Sequence, residues 1–393
     1  MIRRSYLVFT VLAFLSMLSS SFADGLPASE KPAARTDVST AVTKGLDYLA
    51  NELANDSGYT KTPQRSFYAP IIYAPLSGLA FLANGSTRVE GRHAGALRHV
   101  LAYVMQHGGR RKKNQDAINK AVGANICSLT HNAGFNAMFL AQLIDREFPQ
   151  PRKKRAGGQK RAKLQFSEAQ IRAKLRECCK TLEDLQLKNG GWQHGSGGPN
   201  GLGYTHLMAA TVTAMNGLAM AKQVGIKVDS SVIDKGLDYI RKASSGGDVG
   251  YAVGNRGSFS AGRNAGVLQV LFRLGLQNDK LVKPLMAKLT RNLRMAETGH
   301  GSPVWHLFYA GLATAHLSPK ARQDFDSLYR EKLLRGQQKN GSIRAPEKPG
   351  TKPGQGEENR VWGALYTTPL IVLALQAPYR QDLLLYNFHK NTK

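Results

Sequence analysis

Histidine, tyrosine, arginine and asparagine recur side by side at a handful of places in this chain. His131 precedes Asn132, Tyr204 is two residues before His206, Arg263 precedes Asn264, and Trp305 and His306 lead to Tyr309. An imidazole or phenolate can accept a proton, and a neighbouring guanidinium or amide can steady the charge that develops. That combination suits elimination from an acidic polysaccharide. If the chain is an enzyme, His131, Tyr204, His206 and His306 are the catalytic candidates. The same groups can also bind without reacting, because rings stack on sugars or apolar chains while Arg and His hold an anionic end. The ligand-binding candidates are Tyr68, Asn132, Tyr204, His206, Arg263, Asn264, Trp305, His306, Tyr309 and Trp362. Phe67, Tyr73, His194, Arg256, His300, Asn359, Arg360 and Tyr366 fall at similar places.

Other chemistries find less support. Glycoside hydrolysis needs two carboxyl groups across the scissile bond. Only Glu357, Glu358 and Asp248 are near these places, on loops of Gly, Pro and Lys. A metal hydrolase needs clustered His, Asp and Glu ligands, and the acids are sparse, so neither a metal nor any other cofactor is expected. Cys127, Cys178 and Cys179 show no Cys-x-x-Cys spacing and read as core residues. Neighbouring side chains diverge on a helix, so the adjacent pair is not expected to form a disulfide. The favoured expectation is a non-catalytic protein with a ligand in a central cavity, or an envelope scaffold. A lyase is the alternative.

Apolar residues spaced by three and four dominate, which predicts helices. They fall into six pairs: 42–53 with 68–83, 93–106 with 127–148, 168–187 with 204–224, 231–244 with 263–274, 280–297 with 303–317, and 319–338 with 361–376. First members carry charge on one face. Second members, such as Thr205–Met215 and Trp362–Val372, are nearly free of it. A helix that is apolar all round is a buried one. Second helices should therefore lie inside and first helices outside, an all-α arrangement that closes as an α/α toroid. An open solenoid is the structural alternative. Glycine after a helix supplies its left-handed cap, and Asp229-Ser230-Ser231 and Ser318-Pro319 read as helix starts.

The ends and the charge set the context. Arg3 and Arg4, the apolar run Tyr6–Leu18 and the small residues around Ala23 read as a signal peptide over 1–23. A flexible leader is expected at 24–40, the toroid at 41–380 and a tail at 381–393. The expectation is export to the periplasm, the cell envelope or the exterior, with no transmembrane segment in the mature chain. The formal charge is +27, concentrated at Arg110–Lys113 and Arg152–Lys163. Such a chain favours acidic partners: an acidic glycan, or an anionic envelope surface. Nucleic acid is not expected for an exported protein.

Internal repeats underlie the pairs. Gln186-x-x-Asn189-Gly190-x-Trp192 returns as Gln337-x-x-Asn340-Gly341-x-Ile343. Lys44-Gly45-Leu46-Asp47-Tyr48 returns as Lys235-Gly236-Leu237-Asp238-Tyr239. These motifs resemble the repeats of the prenyltransferase and squalene-cyclase superfamily over most of the chain after residue 40. The resemblance implies a terpenoid-cyclase-like toroid, in which Gln sets against a neighbouring helix end and the aromatic ring packs on the next repeat. An isoprenoid or other lipid ligand is its family-flavoured variant, with Met208, Met215, Phe272 and Phe308 as the deep wall. The superfamily's chemistry does not follow: the Asp-x-Asp-Asp acid, the Asp-x-Cys zinc pair and the Gly-Cys-Gly-Glu-Gln thioester motif are all missing.

Overall fold

Charge separates the helices into two layers. In the computed structural model the described residues are 36–55, 72–107, 129–148, 164–194, 206–299, 302–347, 359 and 362–379. The signal-peptide residues, Arg110–Lys113, Arg152–Lys163 and Cys127 lie outside them. The first helix, α1 (Thr36–Asn55), is followed by α2 (Tyr73–Ala83), α3 (Ala94–His107) and α4 (Leu129–Glu147). Next come α5 (Glu168–Leu185), α6 (Met208–Gln223), α7 (Ser230–Lys242) and α8 (Ala261–Arg273). The last four are α9 (Val282–Arg291), α10 (Pro303–Ala313), α11 (Pro319–Leu334) and α12 (Ala364–Gln376).

The even-numbered helices form the inner layer. Every residue of α2 is buried, and α12 is buried from Tyr366 to Gln376. Each inner helix packs on the next, from α2 through α4, α6, α8 and α10 to α12, and α12 packs back on α2. The ring is closed, so the solenoid alternative is excluded and the fold is an α/α toroid. Odd-numbered helices lie outside, with apolar stripes such as Val232, Ile233, Leu237 and Ile240 of α7 turned inward.

Helix ends follow their local chemistry. Ser167 and Gln170 cap the start of α5 reciprocally. Asp229 caps α7, and Ser302-Pro303 and Ser318-Pro319 open α10 and α11. Several boundaries differ from expectation, two of them with a clear local cause. Helix α1 begins at Thr36, inside the expected leader, because Val38 is buried and the Asp37 carboxylate accepts the Val38 N–H at 2.9 Å. Helix α9 stops at Arg291, where the Asn292 amide donates to the Lys288 carbonyl at 2.7 Å; a short 3-10 turn, Leu293–Met295, follows. Such side-chain competition is why Asn is poor inside helices. A two-residue ribbon also forms, β1 (Ser244–Ser245) pairing antiparallel with β2 (Asp248–Val249). Its turn, Gly246-Gly247, takes φ of 60 and 83, the positive values that a tight hairpin demands.

The repeat motifs occupy two equivalent seams. Gln186 donates to the Gly190 carbonyl at 3.0 Å and to the Val232 carbonyl of α7 at 2.8 Å. Gln337 donates to the Gly341 carbonyl at 3.2 Å and to the Ala41 carbonyl of α1 at 2.8 Å. The Trp192 N–H binds the Thr211 hydroxyl at 3.1 Å, and the Ile343 N–H binds that of Thr368 at 2.9 Å. One seam joins the third pair to the fourth, the other the sixth to the first. The two seams lie three pairs apart around the ring and divide it into halves of three pairs each. Trp192 is fully buried and its indole donates to the Leu182 carbonyl at 2.8 Å.

Candidate functional site

Loops that lead into the inner helices bring the candidate residues to one end of the ring. His131, in the first turn of α4, is buried, with its Nδ1 at 3.1 Å from the Thr213 hydroxyl of α6. That hydroxyl donates to the Ala209 carbonyl, so the histidine must donate from Nδ1. Burial, then the nearby His194, pushes the His131 pKa well below the usual imidazole value. The two rings are 5.3 Å apart. Burial lowers the His194 pKa to about 4, and its Nδ1 meets no hydrogen-bond partner among the described residues. Both imidazoles are neutral at pH 7. Asn132 stands beside them and its Oδ1 accepts from the Asn136 amide at 2.7 Å.

Other candidates are committed to the scaffold. Both polar atoms of the Asn264 amide are engaged: Oδ1 accepts the Val249 N–H at 2.9 Å, and Nδ2 donates to the Gly247 carbonyl at 2.8 Å. Arg263 is buried and donates to the Val249 and Ser258 carbonyls at 3.0 and 2.5 Å, with its guanidinium 5.9 Å from the Tyr251 ring. Together they hold the ribbon and loop that precede α8. His306 is buried, with Nδ1 at 3.1 Å from the Ser260 hydroxyl. A methyl built on Gly299 would stand 2.2 Å from its Nε2, and one on Gly262 2.4 Å from its Nδ1. Backbone therefore closes on this ring from both sides. His206 shares a 2.8 Å hydrogen bond with Tyr239 of α7.

An aromatic group gathers from the fifth, sixth and first pairs. Trp362 stacks on Tyr366 at 4.9 Å, the Tyr366 hydroxyl donates to the Ser302 hydroxyl at 3.2 Å, and Tyr73 donates to the Trp362 carbonyl at 3.0 Å. Trp305 meets Tyr309 edge-on at 4.8 Å. Its indole nitrogen is buried without a partner among the described residues. Tyr68, Tyr204, Phe67, His300, Glu357, Glu358 and Arg360 lie outside the described residues.

Phe135, Met138, Gln142, Met220, Gln269 and Phe308 of the inner helices are buried. Met208 is fully buried as well, and the Met215 sulfur packs toward Gly236 of α7. The apolar ones among these side chains belong to one continuous hydrophobic core.

Open space lies on the rim. A cleft of about 650 Å³ is walled by Gln338, Lys339, Asn340, Ser342, Arg344, Asn359 and Ala364. Asn359 fixes one wall: its Oδ1 accepts the Ala345 N–H at 2.7 Å and its Nδ2 donates to the Ala345 carbonyl at 3.1 Å and to Glu347 at 2.9 Å. Lys339 and Arg344 are exposed and form no ion pair among the described residues. Half-buried Trp362 lies in the chain between the Asn359 and Ala364 walls. A smaller cleft of about 100 Å³ includes Asp248 and Arg256 in its walls. The sequence reading passed over Lys339 and Arg344. The usable signal was the repeat, since Arg344 follows the motif where the other half has Gln193.

The geometry can bind a negative charge and a ring. No three His, Cys, Asp or Glu side chains gather into a metal site among the described residues. Asp248 forms an ion pair with Lys288 at 3.3 Å.

Comparisons with known proteins add a family and a shape. Residues 164–376 match the family described as a domain of unknown function, DUF6288. None of the curated proteins matches the chain. Similar solved structures include a protein from Actinoplanes, 14% identical, with a TM-score of 0.48 over 87% of this chain and 99% of that one. Another is the type II terpene cyclase MstE from Scytonema, 12% identical, with a TM-score of 0.47 over 87% and 98%. A third is a glycosyl hydrolase family 88 protein from Bacteroides vulgatus, 11% identical, with a TM-score of 0.48 over 88% and 99%. Likeness at this level assigns no chemistry.

Proposed function

The chain belongs to the family described as a domain of unknown function, DUF6288, and for this member we propose non-catalytic binding of an acidic glycan in the rim cleft of the toroid. One observation carries the reading. The cleft of about 650 Å³ presents Lys339 and Arg344 with no carboxylate partner among the described residues. Elsewhere Arg263 and Asn264 spend hydrogen bonds on their own loop. An uncommitted Arg can hold a carboxylate or sulfate through two parallel hydrogen bonds. Gln338 and Asn340 add amide groups for hydroxyls. The apolar start and small residues around Ala23 support an exported protein, where acidic glycans are met.

Titration calorimetry with an oligouronate tests the proposal. Lys339→Ala with Arg344→Ala should weaken binding by roughly tenfold or more, since a hydrogen bond to a charged group contributes about 1.5–3 kcal/mol. Unchanged affinity in the double variant would refute the cleft. The second reading, a lyase, rests on the two neutral imidazoles His131 and His194. It predicts rising ultraviolet absorbance from an unsaturated product when the protein is incubated with polyuronate, and that result would overturn the non-catalytic assignment.

A further inference from the structure

The outer layer has one face whose charge is unbalanced. Helix α9 turns Val282, Leu285 and Leu289 inward. Its opposite side exposes Lys283 and Arg291, with Lys280 just before the helix and Arg294 just after it. The carboxylates of this stretch are already spent on other cations. Asp279 pairs with Arg241 at 2.8 Å, and Glu297 pairs with Lys332 at 2.5 Å. From the adjoining ribbon, Asp248 pairs with Lys288 at 3.3 Å. Lys280, Lys283, Arg291 and Arg294 form no ion pair among the described residues. Beside Arg294, Met295 is 40% exposed, with Val89 one of two large apolar side chains so open among the described residues.

We propose that this face of α9 docks on an anionic lipid bilayer. The apolar stripe of α9 is spent on the core, and a row of cations without ion pairs beside an exposed apolar side chain is what an anionic headgroup surface attracts. Shape separates it from the rim cleft. The cleft is concave and suits a single chain or ring, whereas α9 lies on the outside of the ring and meets a flat partner. No described helix is long and apolar enough to cross a membrane, so the contact is peripheral: headgroups pair with the four cations and Met295 enters the interface. The proposal does not depend on the cleft reading.

Cosedimentation of the full chain with two kinds of vesicle tests it. One kind is phosphatidylcholine alone; the other is phosphatidylcholine and phosphatidylglycerol in equal parts. The protein should partition onto the mixed vesicles only and leave them as salt rises. Replacing Lys280, Lys283, Arg291 and Arg294 with Gln should lower that partition by roughly several hundredfold, given about fivefold for each of the four basic residues near an anionic surface. Met295→Ser should lower it several-fold. All these side chains are exposed, so circular dichroism and the thermal midpoint should not move. The Lys339 and Arg344 double variant should sediment like the parent, which separates failure here from failure of the cleft. Equal partition of the four-residue variant and the parent would overturn the proposal, as would equal binding of the parent to both vesicles. So would loss of soluble polyuronate binding in that variant without vesicle binding by the parent, since the face would then serve a polymer.

Discussion

Gly190 is the sharpest test of how the half-rings are joined. It ends the helix-to-loop turn at φ of 87, and a Cβ placed on it would lie 2.2 Å from the Lys235 carbonyl oxygen of α7. Gly341 repeats this at the other seam, with φ of 92 and a Cβ position 2.3 Å from the Lys44 carbonyl oxygen. Gly225 has nearly the same φ, 81, but nothing within 4 Å. Alanine at Gly225 therefore meets only the left-handed backbone penalty, about 1–2 kcal/mol. Alanine at Gly190 or Gly341 meets that penalty plus a collision with main chain that cannot rotate away. Overpacking adds about 1–3 kcal/mol, so each should cost about 2–5 kcal/mol. Urea unfolding of the three single variants measures this, with the loss read from the midpoint while the slope stays constant. The reasoning fails if Gly190→Ala is no worse than Gly225→Ala. It also fails if the two seam variants differ from each other by more than either differs from Gly225→Ala, because the seams are then not equivalent.

Two further outcomes follow from buried charge. Arg88 and Glu147 form an ion pair at 2.6 Å with both side chains nearly inaccessible, and Glu147 also accepts the Arg88 N–H at 2.7 Å. Removing one partner strands the other, so Glu147→Ala should cost about 3–5 kcal/mol by denaturant unfolding. Burial holds the His194 pKa near 4, against 6.5 when unfolded. The unfolded chain binds this proton first, so the associated stability is complete above pH 6.5 and is lost as pH falls toward 4. His194→Asn should flatten the acid side of the stability profile by about 3 kcal/mol across that window, and an unchanged profile would show that another group dominates it.

The layering could be read from the residues because burial acts on every position of a helix. Met208–Met215 and Ala364–Val372 lack charge, and both lie in the inner ring. The seam motifs were also legible, since Gly beside a carbonyl and Gln on a helix end are tied to their residue types. The candidate site was less so. A guanidinium beside an amide reads the same whether it faces a ligand or its own loop, and Arg263 and Asn264 hydrogen-bond their own loop. His306 stood out among apolar neighbours, but the glycines that enclose it, Gly262 and Gly299, are ordinary loop and helix residues until the chain folds. The cleft was hidden for a different reason. Its walls, 338–344 with Asn359 and Ala364, meet where the Asn359 amide bonds Ala345, a contact that residue type alone does not announce.

The two matching seams give a way to separate scaffold from function. What both halves need for packing should match: Gln186 with Gln337, Asn189 with Asn340, Gly190 with Gly341 and Thr211 with Thr368 hold the same hydrogen bonds or contacts. Differences between the halves are free of that demand. The same comparison sets Gln193 opposite Arg344 and His194 opposite Ala345. Neither Arg344 nor His194 is therefore required to close a seam, since the other half does without each. Arg344 lines open space, whereas His194 is turned toward His131. A cation that packing does not require, left without an ion pair on the wall of a cleft, costs nothing to the fold when it is removed. On the proposed reading, replacing Arg344 weakens glycan binding while the ring stays intact, because the contact is made where the two halves differ.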